Sequence, residues 1–291
     1  MLSMIKTKNS LIDKNSPTYF IAEIGINHNG DINNAFKLIE ASKLAGCNAV
    51  KFQKRFPKLC VPRDQWDIKK KTPWGEMSYI DYKERMEFSK NDYRKIINLC
   101  KDLKIDWLAS CWDIKSVDFM EELKIPFYKV ASASITDLKL LKKIKNTKKP
   151  VIISTGMSTV SQIRKAVKCL GEKNLGILHC NSSYPAIYEE LNLNFIKKLF
   201  KLFPKAIIGY SGHEKGLSTT IAAAVMGAKI IERHITLDKS MWGTDQLASI
   251  EPLGYARLIR DIRLIESSLG DGNKIVYDSE KDVMKKLRIK N

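Results

Sequence analysis

No apolar run in these 291 residues reaches the roughly 18 needed to cross a bilayer. The first twenty, MLSMIKTKNSLIDKNSPTYF, carry lysines but lack the continuous apolar stretch of a secretory leader. A membrane-spanning or secreted role is therefore set aside, and the chain reads as cytoplasmic. No CxxC pair occurs either. The six cysteines (47, 60, 100, 111, 169 and 180) are scattered, several of them inside apolar runs. That argues against a metal ribbon or a disulfide framework and for buried free thiols in a reducing compartment. Neither GxGxxG nor GxxxxGK[ST] is present, which removes the usual nucleotide-binding reasons for an open sheet. Histidine is scarce: His28, His179, His213 and His234 are all there is, each at the end of an apolar run.

Acidic residues are outnumbered, 32 against 50 basic ones, for a net charge of +18. A nucleic-acid binder would concentrate that surplus in an arginine-rich helix or a basic tail. Here it is mostly lysine spread along stretches such as KLLKKIKNTKK and KKLFKLFPK, which read as solvated helix faces. Nucleic acid is not expected as a partner; an anionic small molecule is the better match for the charge.

What is present is alternation. Short β-branched or aromatic runs recur at 19–26, 49–53, 106–112, 127–132, 150–156, 175–182, 206–212 and 229–237. Between them lie stretches with helical spacing, such as NNAFKLIEASKLAG, TVSQIRKAVKCL and LSTTIAAAVMGA, and Gly46 and Gly227 stand where helix C-caps should. Eight strands alternating with helices over about 250 residues predict an α/β fold of the (β/α)8 TIM-barrel type. The expected divisions are an N-terminal extension (1–18), a barrel domain (19–272) and a C-terminal tail or truncated linker (273–291). Residues 54–89 interrupt the rhythm and are expected to form a long loop after the second strand, over one barrel face.

In such a barrel the polar residues at the strand ends converge on one mouth. They include Glu23, Lys51 and Gln53, Ser110, Lys129 and Ser132, Ser154, His179 with Asn181, Ser182 and Tyr184, Ser211 and His213, and Glu232 and His234. A lone lysine at a strand end can snorkel to solvent. Two lysines among hydroxyls from four strands instead suggest a phosphate or carboxylate cradle. His179 reads as a hydrogen-bonded core residue. His213 and His234 end neighbouring strands, near Glu23 and Glu232, and can approach one divalent cation as an open site that polarises a carbonyl. Composition and spacing reach a metal-assisted reaction between an anion and a carbonyl compound, and stop there.

The stretches FIAEIGINHNGD, AVKFQ, YKVAS, VIISTGM, LHCNSSYP, GYSGHEKG and IERHITLDKSMWGTDQLASIEP, between residues 19 and 253, resemble the sialic acid synthase (N-acetylneuraminate synthase) family of phosphoenolpyruvate-condensing enzymes. The resemblance implies condensation of phosphoenolpyruvate with an open-chain aldose to give a 3-deoxy-ulosonic acid and phosphate. It also implies a divalent cation (manganese, with magnesium or cobalt also suited) and a homodimer. Carried over by position, His213 and His234 would bind the metal, and Lys51, Lys129, Ser132, Ser154, Ser182 and Ser211 would hold phosphoenolpyruvate. Glu23 would handle protons, and Gln53, Tyr184 and Asp245 would contact the sugar. Three departures stand out. Ser134 replaces an acid common two places after the family's serine, and Ser182 takes the place of an asparagine. The chain also stops near where a C-terminal antifreeze-like domain and its sugar-reading arginine would follow. Two other readings stand beside this one. A related synthase could use a shorter or phosphorylated aldose, with Arg55, Arg63 and Lys58 supplying charge, or a non-catalytic barrel could act as a binding protein. Trp74 and Trp242 are expected to pack the 54–89 loop rather than to stack on a sugar.

Overall fold

Side chains along a strand alternate between its two faces, and in this chain the two faces diverge toward one end of every strand. The computed structural model describes residues 4–289. A small N-terminal hairpin (β1, Ile5–Lys6; β2, Leu11–Ile12) precedes β3 (Tyr19–Gly25), α1 (Ile32–Leu44) and β4 (Ala49–Lys54). The excursion that follows contains α2 (Pro57–Cys60), a second hairpin (β5, Lys69–Thr72; β6, Gly75–Ser78) and α3 (Tyr79–Arg85). Alternation then resumes with α4 (Lys90–Asp102), β7 (Asp106–Cys111), α5 (Ile114–Glu122), β8 (Tyr128–Val130), α6 (Leu138–Asn146) and β9 (Val151–Ser154). It continues through α7 (Val160–Leu170), β10 (Leu175–Cys180), α8 (Asn194–Leu202), β11 (Ile207–Gly212), α9 (Ser218–Val225), β12 (Ile230–His234) and α10 (Pro252–Ser268). A last helix, α11 (Asp278–Leu287), buries no residue.

Strands β3, β4 and β7 to β12 pair in chain order, and β12 closes on β3 with His234 opposite Glu23. This is the closed eight-stranded parallel barrel that the alternation predicts. Most strands are shorter than their apolar runs. The fourth barrel strand stops at Val130, because Ser132–Ser134 turn into a 3-10 helix, and the eighth stops at His234. The 54–89 segment is not a plain loop but carries its own hairpin and helices. Helix ends follow local chemistry. Asp31 caps α1, reciprocal capping boxes (Ser89 with Asp92, Thr159 with Gln162) open α4 and α7, and Gly46 and Gly227 follow α1 and α9 at φ +92° and +101°.

Inside the barrel, Tyr19, Ile21, Ala49, Leu108, Phe127, Ile152, Leu178, Ile207 and Ile230 fill the lower layer. Two residues further along each strand (four along β11) the same inward face becomes polar: Glu23, Lys51, Ser110, Lys129, Ser154, Cys180, Ser211 and Glu232. The opposite face stays apolar, with Phe20, Ala22, Ile24, Val50 and Phe52 packed under the helices. The N-terminal hairpin seals the lower end. Ile5 and Ile12 are fully buried in the lower layer, and Asn9 Nδ2 donates to Asp106 Oδ1 at 2.8 Å. Thr18 N–H donates to Glu266 Oε1 at 2.7 Å, and Arg263 Nη2 to the Thr18 carbonyl at 2.6 Å, tying the same segment to α10.

His28 faces away from the barrel interior. It is buried, its ring stacks 4.2 Å from Phe88, and its Nδ1 accepts from Gly30 N–H at 3.0 Å. Burial, aided by the Arg55 charge, lowers its pKa from 6.5 to about 3. Between those values the unfolded chain binds a proton that the folded one refuses, so stability falls as pH drops, by about 1.4 kcal/mol per unit from this group. Urea unfolding at pH 7, 6 and 5 should show a shallower acid loss in His28→Asn than in the wild type. Equal slopes would remove His28 from the account.

Candidate active site

The polar layer is a charge lattice built from four strands. Lys51 Nζ lies 2.9 Å from Glu23 Oε2 and 3.8 Å from Glu232 Oε1, and donates to Ser110 Oγ at 2.9 Å. Lys129 Nζ lies 3.5 Å from Glu232 Oε1 and donates to Ser154 Oγ at 2.7 Å. Ser211 Oγ donates to the same Glu232 oxygen at 3.2 Å. All four ionisable groups are almost fully buried. Burial pulls Lys51 down, but Glu23 and Glu232 outweigh it and hold the ammonium above its ordinary value. Burial lowers Lys129, with Glu232 compensating only in part. Burial also opposes ionisation of Glu232, yet the two lysines overcome it and the carboxyl stays below its usual range. Glu23 moves the other way: burial, reinforced by Glu232 and only partly countered by Lys51, raises it to about 7. Its Oε2 meets Lys51 off hydrogen-bonding geometry and is otherwise unpartnered, as is Glu232 Oε2. A buried site with carboxylate oxygens that no hydrogen bond occupies and two ammonium groups is prepared for a polar ligand.

Two imidazoles stand at the upper edge, with ring centroids 5.5 Å apart. His213 Nδ1–H donates to the Asn181 carbonyl at 2.6 Å, which leaves Nε2 as an acceptor for the Tyr184 hydroxyl at 2.8 Å. Burial opposes charging of His213, but Cys180 at 3.7 Å and the Asn181 carbonyl raise its pKa. Burial, with the His213 and Lys51 charges, holds His234 far below 6.5, and its buried Nδ1 has no hydrogen-bond partner. One Nε2 lone pair and one orphaned imidazole nitrogen fit a divalent cation. Among the described residues no set of three or more His, Cys, Asp or Glu side chains is arranged to hold an ion. Water or substrate oxygens would have to complete its shell, as an open site requires.

One cavity brings together Glu23, Lys51, Gln53, Lys129, Ser132, Ser154, Ser182, Tyr184, Ser211, His213 and His234. Gly156 lets two of these serines converge, since a Cβ there would lie 2.1 Å from Ser182 Oγ and 2.8 Å from Ser132 Oγ. Asp245, expected to contact the sugar, does not line this cavity; it sits on the loop after β12, with Oδ2 3.8 Å from His234 Nδ1. His179 faces outward and bonds the Leu191 carbonyl at 2.6 Å, as a core histidine should. Of the basic residues considered for an acceptor phosphate, Lys58 pairs with Glu84 (3.3 Å), Arg63 lies over Trp66, and Arg55 is buried against Glu87. Trp74 and Trp242 meet edge-on at 5.7 Å, and Trp242 meets Tyr82 at 5.5 Å, fastening the excursion to the loop after β12. Ser110, Trp112, Cys180 and Glu232 also line the cavity. Ser110 and Glu232 belong to the strand-end set read from the sequence; Trp112 and Cys180 do not, although strict alternation from Leu108 and Leu178 on their strands points to both.

Comparison with known proteins places these residues in a wider set. Residues 38–274 match the NeuB family. N-acetylneuraminate-9-phosphate synthase of Mus musculus is 39% identical over 279 residues, 93% of this chain and 76% of that protein. N,N'-diacetyllegionaminic acid synthase of Campylobacter jejuni is 38% identical over 270 residues, 90% of this chain and 80% of that one. The crystal structure of an N-acetylneuraminic acid (sialic acid) synthetase from Leptospira borgpetersenii, in complex with citrate, superposes with a TM-score of 0.87 at 29% identity. That match covers 100% of this chain and 99% of the other.

Proposed function

This chain belongs to the NeuB family, and from that premise we propose that it condenses phosphoenolpyruvate with the aldehyde of an open-chain, N-acylated amino sugar, assisted by a divalent cation. The chain is a phosphoenolpyruvate-dependent, carbon–carbon bond-forming ulosonic acid synthase. The anionic donor and the cation are supported by a pair of buried ammonium groups, Lys51 and Lys129, that share one cavity with serine hydroxyls and two imidazoles.

Lys129 and Lys51 would take the phosphate and carboxylate of the donor, with Ser132, Ser154, Ser182 and Ser211 supplying hydroxyl donors. Each charge-assisted bond contributes about 1.5–3 kcal/mol. His213 and His234 would hold the cation, which when bound would polarise the acceptor carbonyl as a Lewis acid. The methylene carbon of the donor then forms the new bond to the aldehyde carbon, and water adds at the enol carbon. One water proton passes by way of the Glu23 carboxylate to the former aldehyde oxygen, which becomes a hydroxyl. The carbon–oxygen bond to phosphate then breaks as the added hydroxyl becomes the ketone, its proton leaving with the phosphate. Glu23 suits this role because Oε2 has lone pairs that no hydrogen bond occupies, and because its raised pKa lies near neutrality. Gln53 and Tyr184 would orient the acceptor, with Asp245 acting from behind His234. Six free cysteines support a reducing, cytoplasmic setting.

Phosphate release from phosphoenolpyruvate by chelator-stripped protein is the test, run with and without manganese across N-acetylmannosamine, its 6-phosphate, diacetamido-hexoses, mannose and arabinose. Release is expected with one N-acylated acceptor only when manganese is present, and it should vanish in His213→Ala and His234→Ala while calorimetric donor binding persists. Equal release in chelator would overturn the metal role. No release with any acceptor, despite bound metal, would favour a binding protein.

A further inference from the structure

Lys51 and Gln53 alternate inward along β4, and Arg55 stands two residues past Gln53, just beyond the end of the strand. Arg55 is 6% exposed and lies outside the cavity lining, so it is not poised to meet a ligand. Three neighbours fix it. Glu87 Oε1 accepts from Arg55 Nε at 3.0 Å, Glu87 Oε2 accepts from the Arg55 backbone N–H at 3.2 Å, and the guanidinium lies 4.9 Å over the Trp112 ring. The third neighbour is Gln53, whose Oε1 accepts from Arg55 Nη2. At the far side of that carboxamide, Gln53 Nε2 donates to Glu23 Oε1 at 3.2 Å.

The geometry points to Arg55 as a positioning residue that acts on the acceptor through Gln53, an inference that rests on the condensation reading above. A carboxamide can sit in either of two flips, with its oxygen and nitrogen exchanged. An arginine has donors and no acceptor, and an ionised carboxylate has acceptors and no donor. Held between Arg55 and Glu23, Gln53 satisfies both ends in one flip only: oxygen toward Arg55, NH2 toward Glu23. Its second N–H is then the group left for the cavity. The pocket wall there is a hydrogen-bond donor and favours an acceptor sugar presenting an oxygen, such as an acyl carbonyl or a hydroxyl lone pair. The same bond holds the Glu23 carboxylate at a fixed distance from the donor floor. Glu87, which anchors Arg55, lies 32 residues along the chain at the end of the excursion. The excursion thereby reaches the acceptor side without touching ligand. Lysine at position 55 would keep the charge but could not span Glu87 and Gln53 with one planar fork.

The test is a two-residue cycle in the intact protein: Arg55→Lys, Gln53→Ala and the double variant, with acceptor KM and kcat measured at saturating phosphoenolpyruvate and donor affinity by calorimetry. Arg55→Lys should raise acceptor KM about tenfold, the equivalent of one lost hydrogen bond, with donor affinity unchanged. In the Gln53→Ala background the same substitution should add less than about twofold, because the residue it acts through is gone. Should Arg55→Lys fold poorly, Glu87→Gln loosens the same anchor and should shift acceptor KM in the same direction. Effects that multiply in the double variant, or an acceptor KM within twofold of wild type in Arg55→Lys, would overturn the inference alone. A wild-type protein that releases no phosphate with any acceptor overturns the condensation reading and this inference with it.

Discussion

Glu23→Gln should lower kcat by about 10²–10⁴-fold, the range for losing a positioned general base, while phosphoenolpyruvate binds as well as before or more tightly. The substitution keeps the shape of the side chain and removes a negative charge 2.9 Å from Lys51, which frees that ammonium for the donor's anionic groups. Donor affinity and turnover therefore separate, as they would not if the variant had simply misfolded. The pH profile carries the sign. Burial, with Glu232 alongside, raises the Glu23 carboxyl to about 7, and a base works as its carboxylate. In the wild type, kcat/KM should rise through about pH 7 and level above it; in Glu23→Gln that limb should disappear. A profile that falls through pH 7 would make Glu23 an acid instead. A glutamine variant within tenfold of wild type would remove it from the chemistry.

Arg233→Met should cost on the order of 3–5 kcal/mol, the usual range when one partner of a buried ion pair is removed. Arg233 and Glu214 are both fully buried, 3.0 Å apart. Arg233 also donates to Thr220 Oγ1 at 2.6 Å, to the Gly216 carbonyl at 3.2 Å and to the Glu214 carbonyl. Glu214 accepts further bonds from Thr219 and Tyr210. Burial works against the Glu214 carboxylate, but Arg233 and these donors keep it below its ordinary range. Methionine would leave that carboxylate without its counter-ion, in a protein whose whole stability is about 5–15 kcal/mol. Denaturant titration reads the loss. A double variant, Glu214→Leu with Arg233→Met, should lose less than Arg233→Met alone, since it strands no charge. Additive losses would deny the pair its coupling.

Much of this was legible because period-two alternation is a local property. Lys51, Lys129 and Ser154 stand two residues beyond apolar partners on their own strands, and the chain alone shows that they share a face with the barrel interior. Pairing of His213 with His234 needed one further step, that consecutive parallel strands are neighbours. The excursion was another matter. KKKT and GEMS form a hairpin with no apolar alternation, and only the Pro73-Trp74-Gly75 turn hints at it. Arg55 read as a free cation because its partner, Glu87, comes near only once the excursion has folded back. The position of Asp245 was hidden for the same reason: where the loop after β12 carries its carboxylate depends on Trp242 packing against Tyr82, a contact between distant segments. The N-terminal strands, two residues each, were too short for any periodic signal.

The stopper at the bottom of the barrel sets a schedule for biosynthesis. Thr18 meets Glu266 across 248 residues of chain, and β3 finds its partner β12 only when the eighth strand exists. At about 5–20 residues per second of translation, the first-made segment waits between about 12 and 50 seconds for the residues that hold it. Throughout that interval Ile5 and Ile12 have no complete layer to enter, and β3 presents an unpaired edge. Nascent chains released early would expose both, so degradation and aggregation of this protein should concentrate on products that end before α10.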